Sequence, residues 1–245
     1  MNKLTVEIKN SIIEQIENMV SDIPGFTPVD QLYTLFNLVF TTSNLEGDIV
    51  EIGSWCGRSS AVLALAAQVT GNTSLYCFDL FPQKNDWWKN DDNTYSFQVK
   101  VGNVELGAYQ DQKVWEKPFM DEIMPIYEKY ESIYEFFQNN ISRLGLSNIV
   151  NATKGNSDML NEKVPQDFKC RLAFIDGDHS YDSVCKDIDN IYPHLIKGGW
   201  ICFDDAFSHY DGVNEAIVEM VIKNDNYDLC QQMTRKLFIA RKISS

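Results

Sequence analysis

Three carboxylates follow apolar runs in the second half of this chain. Asp176 closes one run within Phe174-Ile175-Asp176-Gly177-Asp178-His179-Ser180-Tyr181, and Asp204-Asp205 close another within Lys197-Gly198-Gly199-Trp200-Ile201-Cys202-Phe203-Asp204-Asp205. If each run is a buried strand, all three project from one edge of a sheet. Unaccompanied, they would repel one another and raise each other's pKa. A hard divalent cation resolves that cost, and Mg²⁺ accepts carboxylates while keeping several waters. The plainer alternative is that Asp178 and Asp204 cap helices and turns. His179 stands three residues after Asp176, where an imidazole can carry a proton at neutral pH. Equally, Asp178-His179-Ser180 can open a helix whose histidine merely bonds a carboxylate. His194, after Pro193, reads as a surface residue, and His209 as one that could approach a bound acceptor.

A second motif lies nearer the start: Val50-Glu51-Ile52-Gly53-Ser54-Trp55-Cys56-Gly57-Arg58-Ser59-Ser60. It reads as a buried strand, a turn with two glycines and a helix. Gly53 permits a tight turn, and the first N–H groups of the helix can face a polar ligand. Glu51 at a strand end is costly unless it is employed. A dinucleotide site would place a second glycine where Trp55 stands, so that pyrophosphate could press on the backbone. Bulk there favours a ligand without phosphates, such as S-adenosylmethionine. The next apolar run ends in Phe78-Asp79, and an acidic residue at that point can accept both hydroxyls of a ribose.

These residues need a frame to hold them. From residue 48 onward, short apolar runs near 48–52, 74–78, 149–153, 171–175 and 200–203 alternate with amphipathic stretches near 58–70, 129–144, 181–192 and 212–223. That rhythm predicts a parallel sheet covered on both faces. Tyr227 to Gln231 and Leu237 to Arg241, joined by a short turn, predict an antiparallel finish. Two helices precede the first strand. Val6, Ile12, Ile13, Ile16, Met19 and Val20 keep helical spacing, and Thr27 as N-cap with Pro28 at the first helical position opens the second. Residues 82–125 interrupt the rhythm with Trp87, Trp88, Tyr95, Phe97, Tyr109, Trp115 and Phe119. A loop this long serves as a lid, a binding loop or an interface.

With 245 residues, 44% of them apolar and 23% charged, the chain has the makings of one globular domain spanning 1–245. A formal charge of −14 without a basic stripe argues against nucleic acid and anionic lipid as partners. No apolar run reaches membrane-spanning length and the start has no signal-peptide core, so a cytoplasmic protein is expected. The six cysteines are far apart, without a CxxC pair, and read as free thiols in the core.

Taken in order, EIGSWCGRSS, FIDGDHSYD and KGGWICFDDA resemble class I methyltransferases related to the macrocin-type sugar O-methyltransferases. The first also resembles the metal-dependent catechol O-methyltransferases. The resemblance spans about residues 48–223 and lapses over the insertion 82–125. It implies a Rossmann-like, doubly wound α/β fold with a mostly parallel seven-stranded sheet, an antiparallel last strand and helices on both faces. It further implies transfer of a methyl group from S-adenosylmethionine to a hydroxyl of a sugar or phenol. Asp176, Asp204 and Asp205 would hold Mg²⁺. Glu51, Gly53, Ser54, Gly57, Ser59 and Asp79 would receive the methionine and ribose of the donor, with Asn156-Ser157 near adenine and Asp176 beside it. The catechol enzymes carry a lysine base where this chain has His179, so the proton acceptor is His179 or Asp176. The insertion's rings would stack on the substrate or pack a homodimer. An NAD-dependent oxidoreductase and a non-catalytic cofactor-binding protein are the competing classes.

Overall fold

The computed structural model describes residues 3–71, 73–107 and 113–244, with side chains from Ile12 on. Val6 and Tyr109, both named above, fall outside the described side chains and residues respectively. Helices α1 (Lys3–Val20) and α2 (Val29–Thr41) lead into β1 (Asp48–Ile52), α3 (Arg58–Thr70) and β2 (Leu75–Asp79). An excursion follows, comprising β3 (Trp87–Lys89), β4 (Thr94–Val101), β5 (Val104–Gly107), β6 (Val114–Trp115), α4 (Glu116–Pro118) and α5 (Met124–Tyr127). The chain then returns through α6 (Ile133–Arg143), β7 (Val150–Lys154), α7 (Leu160–Lys163), β8 (Cys170–Ile175), α8 (Tyr181–Ile191), β9 (Leu195–Phe203), α9 (Asp211–Ala216), β10 (Tyr227–Gln232) and β11 (Phe238–Lys242).

The main sheet has seven strands in the order β10-β11-β9-β8-β1-β2-β7. Its central pairs are parallel, and β11 runs antiparallel to both neighbours. Strands β1 and β8 are almost wholly buried, which is why they read as continuous apolar runs. Alternate residues feed two cores. Ile49, Cys77, Leu172 and Phe174 pack with α2, α3 and α6, whereas Val50, Phe78, Ala173 and Ile175 pack with α8 and α9. Helices therefore cover both faces. Among the described residues no helix is long and apolar enough to cross a membrane.

Register is what aligns the chemistry. Ile52 pairs with Phe78 and with Ile175, and Ile175 pairs with Phe203. The residues that follow are laced together, Gly53 N–H to the Phe78 carbonyl, Asp176 N–H to Ile52 and Asp204 N–H to Ile175, at 2.8–2.9 Å. Asp79, Gly53, Asp176 and Asp204 thus form one row along the carboxyl edge, where ligands of open α/β sheets bind.

Three expectations need correction. Thr27 caps nothing: Pro28 holds the cap position of α2 without a side-chain bond, and the Thr27 carbonyl accepts from Arg58 Nε at 3.1 Å. The same guanidinium donates to the carbonyls of Val20 and Ile23, tying the N-terminal helices to the start of α3. The run expected near 200–203 starts earlier: β9 takes in Lys197-Gly198-Gly199, where Gly199 lies so close to the Arg171 and Ile196 carbonyls that a Cβ would crowd both. The described residues of 82–125 do not form one long loop. Their strands form a four-stranded antiparallel sheet, and the alternation Tyr95, Phe97, Val99, Val101 with the Gly102-Asn103 hairpin was the signal for it. All six cysteines are free thiols, with Cys56, Cys77, Cys170 and Cys202 buried.

Candidate active site

A cavity of about 540 Å³ opens at this edge. The glycine turn, Asp79, Asn156, Asp176 to His179 and Asp204-Asp205 all line it, and so do Trp87, Phe97 and Trp115 of the insertion. One space therefore brings together the three motifs and the insertion.

Asp79 stands at its end of the row with Oδ2 accepting the Trp55 N–H at 2.9 Å and Oδ1 accepting the Phe81 N–H at 2.7 Å. Burial outweighs these donors and pushes its carboxyl up to about 6. Ser54, Ser59 and Gly53 line the same space. Glu51, Gly57 and Ser157, also expected to touch the donor, lie behind the wall. Glu51 is fully buried, and its carboxylate accepts from Ser60 Oγ and from Cys77 Sγ, with the Ser54 and Ser59 hydroxyls close by. It braces the turn from beneath. Gly57 starts α3 in the left-handed region against the Phe137 ring, and buried Ser157 receives a bond from Asn190.

Gly53 serves a tighter constraint than a ligand's approach. Its φ is +90°, and a Cβ there would lie 1.9 Å from the Asp176 carbonyl oxygen. Trp55 adopts φ +43°, a conformation that ordinarily belongs to glycine. Its ring meets Trp87 edge-on at 6.3 Å, and Trp87 donates from Nε1 to the Tyr127 hydroxyl at 2.8 Å.

At the other end of the row, Asp176, His179 and Asp205 present donor atoms within 4.8 Å of one another. His179 Nε2 meets Asp205 Oδ2 at 3.2 Å, and its ring lies against Tyr210 at 3.8 Å between centroids, tilted by 38°. Ser180 caps α8 and Asp178 accepts the Ser180 N–H, so the helix-opening reading of this motif is realised while His179 still lines the cavity. Asp204 does not join the cluster as an open ligand. It is buried, with Oδ1 accepting from Gln31 Nε2 at 2.8 Å and from the Asp205 N–H at 2.7 Å, and Oδ2 from Lys236 Nζ at 3.0 Å. Lys236 also reaches Asp205 Oδ1 at 3.2 Å. Burial, and then the Asp204 carboxyl, raise Asp176 well above the ordinary range. Asp205 is also penalised by burial, but the His179 bond and Lys236 hold it below that range. Burial works against the charge on Lys236, and the carboxylates of Asp204, Asp176 and Asp205 outweigh it. His209 lines the cavity beside Tyr210, whereas His194 bonds Asn161 at the surface.

Residues 50–206 match the family described as "Methyltransferase domain". The chain belongs to that family. The fold of this methyltransferase is that of several solved enzymes. The O-methyltransferase NovP superposes with a TM-score of 0.59 at 19% identity, covering 88% of this chain and 81% of its own. CalS11, described as a TDP-rhamnose 3′-O-methyltransferase of calicheamicin biosynthesis, gives 0.54 at 16%, covering 98% and 95%. TomG, an O-methyltransferase from Streptomyces achromogenes, gives 0.55 at 14%, covering 96% and 89%. This chain is thus a class I S-adenosylmethionine-dependent methyltransferase.

The sequence did not point to Lys236, Gln31 or Asp187 in this methyltransferase. Asp187 lines the cavity from α8, and burial pushes its carboxyl up to about 7. With Asp79 it sets a pH dependence. Both carboxyls are raised above their unfolded values, so between about pH 4 and 7 the folded protein holds protons that the unfolded chain has released. Stability without ligand should therefore fall as pH rises through that window. Thermal unfolding at about pH 5 and 7.5 checks this, and a higher midpoint at the upper pH would contradict it.

Proposed function

We propose that this methyltransferase acts on the oxygen of a hydroxyl carried by a small molecule with a ring face, a sugar of a glycosylated metabolite or a phenol. The observation that carries the reading is the convergence of Asp176, His179 and Asp205 in the cavity that Asp79 and the glycine turn also line. Proton-handling groups beside the donor's site are what a hydroxyl acceptor requires. Neighbours in fold described as O-methyltransferases support the same reading.

When bound, the donor supplies a methyl group on a sulfonium sulfur. Asp79 would hold the ribose hydroxyls on the lone pairs that the Trp55 and Phe81 N–H groups leave open. Ser54, Ser59 and Gly53 face the methionine part, and Asn156 the adenine. Glu51, Gly57 and Ser157 act at one remove by holding those segments. Asp176 would take the proton of the acceptor hydroxyl, and the donor would supply the methyl group that replaces it on that oxygen. A buried carboxylate with raised proton affinity suits that task. His179, engaged by Asp205, orients the acceptor.

The Mg²⁺ that the resemblance implies fits these residues poorly. Asp204 already accepts three donors, and in its place the cluster offers an imidazole, which suits softer ions than Mg²⁺. No step is assigned to the metal.

Calorimetry with S-adenosylhomocysteine, followed by mass analysis of a panel of hydroxylated sugars and phenols incubated with the donor, tests the reading. A product heavier by one CH₂ supports it. Binding without any product would favour the non-catalytic class, and binding of NAD instead would revive the oxidoreductase. The insertion supplies the acceptor wall through Trp87, Phe97 and Trp115, of which Trp115 is 69% exposed. Trp115→Ala should raise the acceptor KM about tenfold through lost ring contact and leave donor affinity unchanged. A changed mass in solution with an unchanged KM would assign that ring to a homodimer contact.

A further inference from the structure

We propose that Lys236 is the resident cation of this site and stands where relatives of this chemistry would use a divalent metal. The inference rests on the methyl-transfer reading of the cavity and deepens it. Three carboxylates gathered in a partly buried space demand positive charge. Here the charge is built into the chain. The Lys236 ammonium lies between Asp204 Oδ2 at 3.0 Å and Asp205 Oδ1 at 3.2 Å, and the residue is only 9% exposed.

Its placement is not that of a loose surface lysine. Lys236 sits in the turn between β10 and β11, and that turn is closed by Met233 N–H on the Leu237 carbonyl at 2.8 Å and Leu237 N–H on Thr234 Oγ1 at 3.2 Å. The Lys236 carbonyl accepts the Ala206 N–H at 2.9 Å, which fastens the hairpin to the loop that carries the aspartate pair. Gln31, from α2, completes the shell of Asp204. The effect is a division of labour. Asp204 is consumed in holding Lys236, Asp205 is shared between Lys236 and His179, and Asp176, set against the Asp204 carboxyl, lines the cavity.

A divalent ion among Asp176, His179 and Asp205 would have to share Asp205 with an ammonium 3.2 Å from that carboxylate, against direct repulsion. Lys236 is therefore a positioning residue. It keeps the aspartate pair together and fixes the carboxylate that engages His179.

The test is metal binding, which needs no acceptor. Protein saturated with S-adenosylhomocysteine is titrated with Mn²⁺ to about 1 mM, the weak end of specific affinity, and free Mn²⁺ is followed by electron paramagnetic resonance. Wild type should leave the Mn²⁺ free. Lys236→Met should bind one ion and gain thermal stability from it, as ligand linkage requires. Lys236→Gln, which keeps a donor toward Asp204 without the charge, serves if the methionine variant does not fold and should also bind. Lys236→Arg should behave as wild type. Tight Mn²⁺ binding by wild type would overturn the proposal. So would the absence of binding in the uncharged variants, because the carboxylates would then not form a cage whose cation Lys236 replaces. Donor-product affinity, measured first on the same samples, reports separately on the methyl-transfer reading.

Discussion

Asp176→Asn is expected to lower kcat by about 10³-fold while leaving donor affinity within a few fold of wild type. The substitution keeps the shape of the side chain and the backbone bond from Asp176 N–H to the Ile52 carbonyl, so the row of residues at the sheet edge stays in place. What it removes is the capacity to take a proton. His179→Ala should cost about tenfold, the loss proper to a group that orients the acceptor. If the ranking reversed, with the histidine variant nearly inactive and the asparagine variant mildly impaired, the proton would go to His179. Steady-state kinetics on an identified acceptor, alongside calorimetry for the donor, separates the two.

Gly53→Ala is expected to damage the fold itself, by about 3 kcal/mol or more. The new methyl would fall 1.9 Å from the Asp176 carbonyl oxygen, 2.3 Å from its carbon and 2.7 Å from the Gly177 nitrogen, all of them backbone, at a φ of +90° that alanine rarely adopts. No side chain can swing aside to make room. The two strand ends must separate, and with them Asp176. A fall in the unfolding midpoint of about 10 °C, or insoluble protein, is the expected result. Gly57→Ala is the control. It too has positive φ, but its methyl would press only on the Phe137 ring at 3.1 Å, a neighbour able to shift, so a loss of about 1 kcal/mol is expected. Equal losses in the two variants would mean that backbone conformation, and not the close approach of two strand ends, governs both.

What could be read from the residues alone follows the range of the interactions involved. Strand–helix alternation is a local pattern, and it yielded the order of the sheet's elements and the acidic edge on which Asp79, Asp176 and Asp204 lie. The antiparallel sheet within 87–115 was equally local. The alternation from Tyr95 to Val101 signals it, but the break in the strand–helix rhythm favours a long loop serving as a lid, a binding loop or an interface. Gln31 and Lys236 left no such trace. Gln31 is one of several polar residues of α2, 173 positions from the aspartate it bonds, and Lys236 is an unremarkable basic residue of a hairpin turn, 32 positions from the same partner. Both are visible only once α2 and the β10–β11 hairpin have been brought over the sheet edge. The same blindness affected Glu51. Its cost at a strand end was legible, but whether it faces a ligand or a cluster of serine hydroxyls depends on which side of the turn the helix packs.

The left-handed backbone of Trp55 bears on how this enzyme can be re-engineered. A tryptophan at φ +43° costs about 1 kcal/mol relative to glycine, and its ring packs against Trp87 of the insertion. The peptide N–H of that same residue is the one donated to Asp79. The segment proposed to meet the acceptor therefore also secures the conformation of the glycine turn, and the two are not interchangeable modules. A chimera that takes the 82–125 segment of a relative would lose the ring that restrains Trp55 and should lose donor affinity together with its old specificity. Putting glycine at position 55 in the same step should restore the donor site and free the insertion to be exchanged.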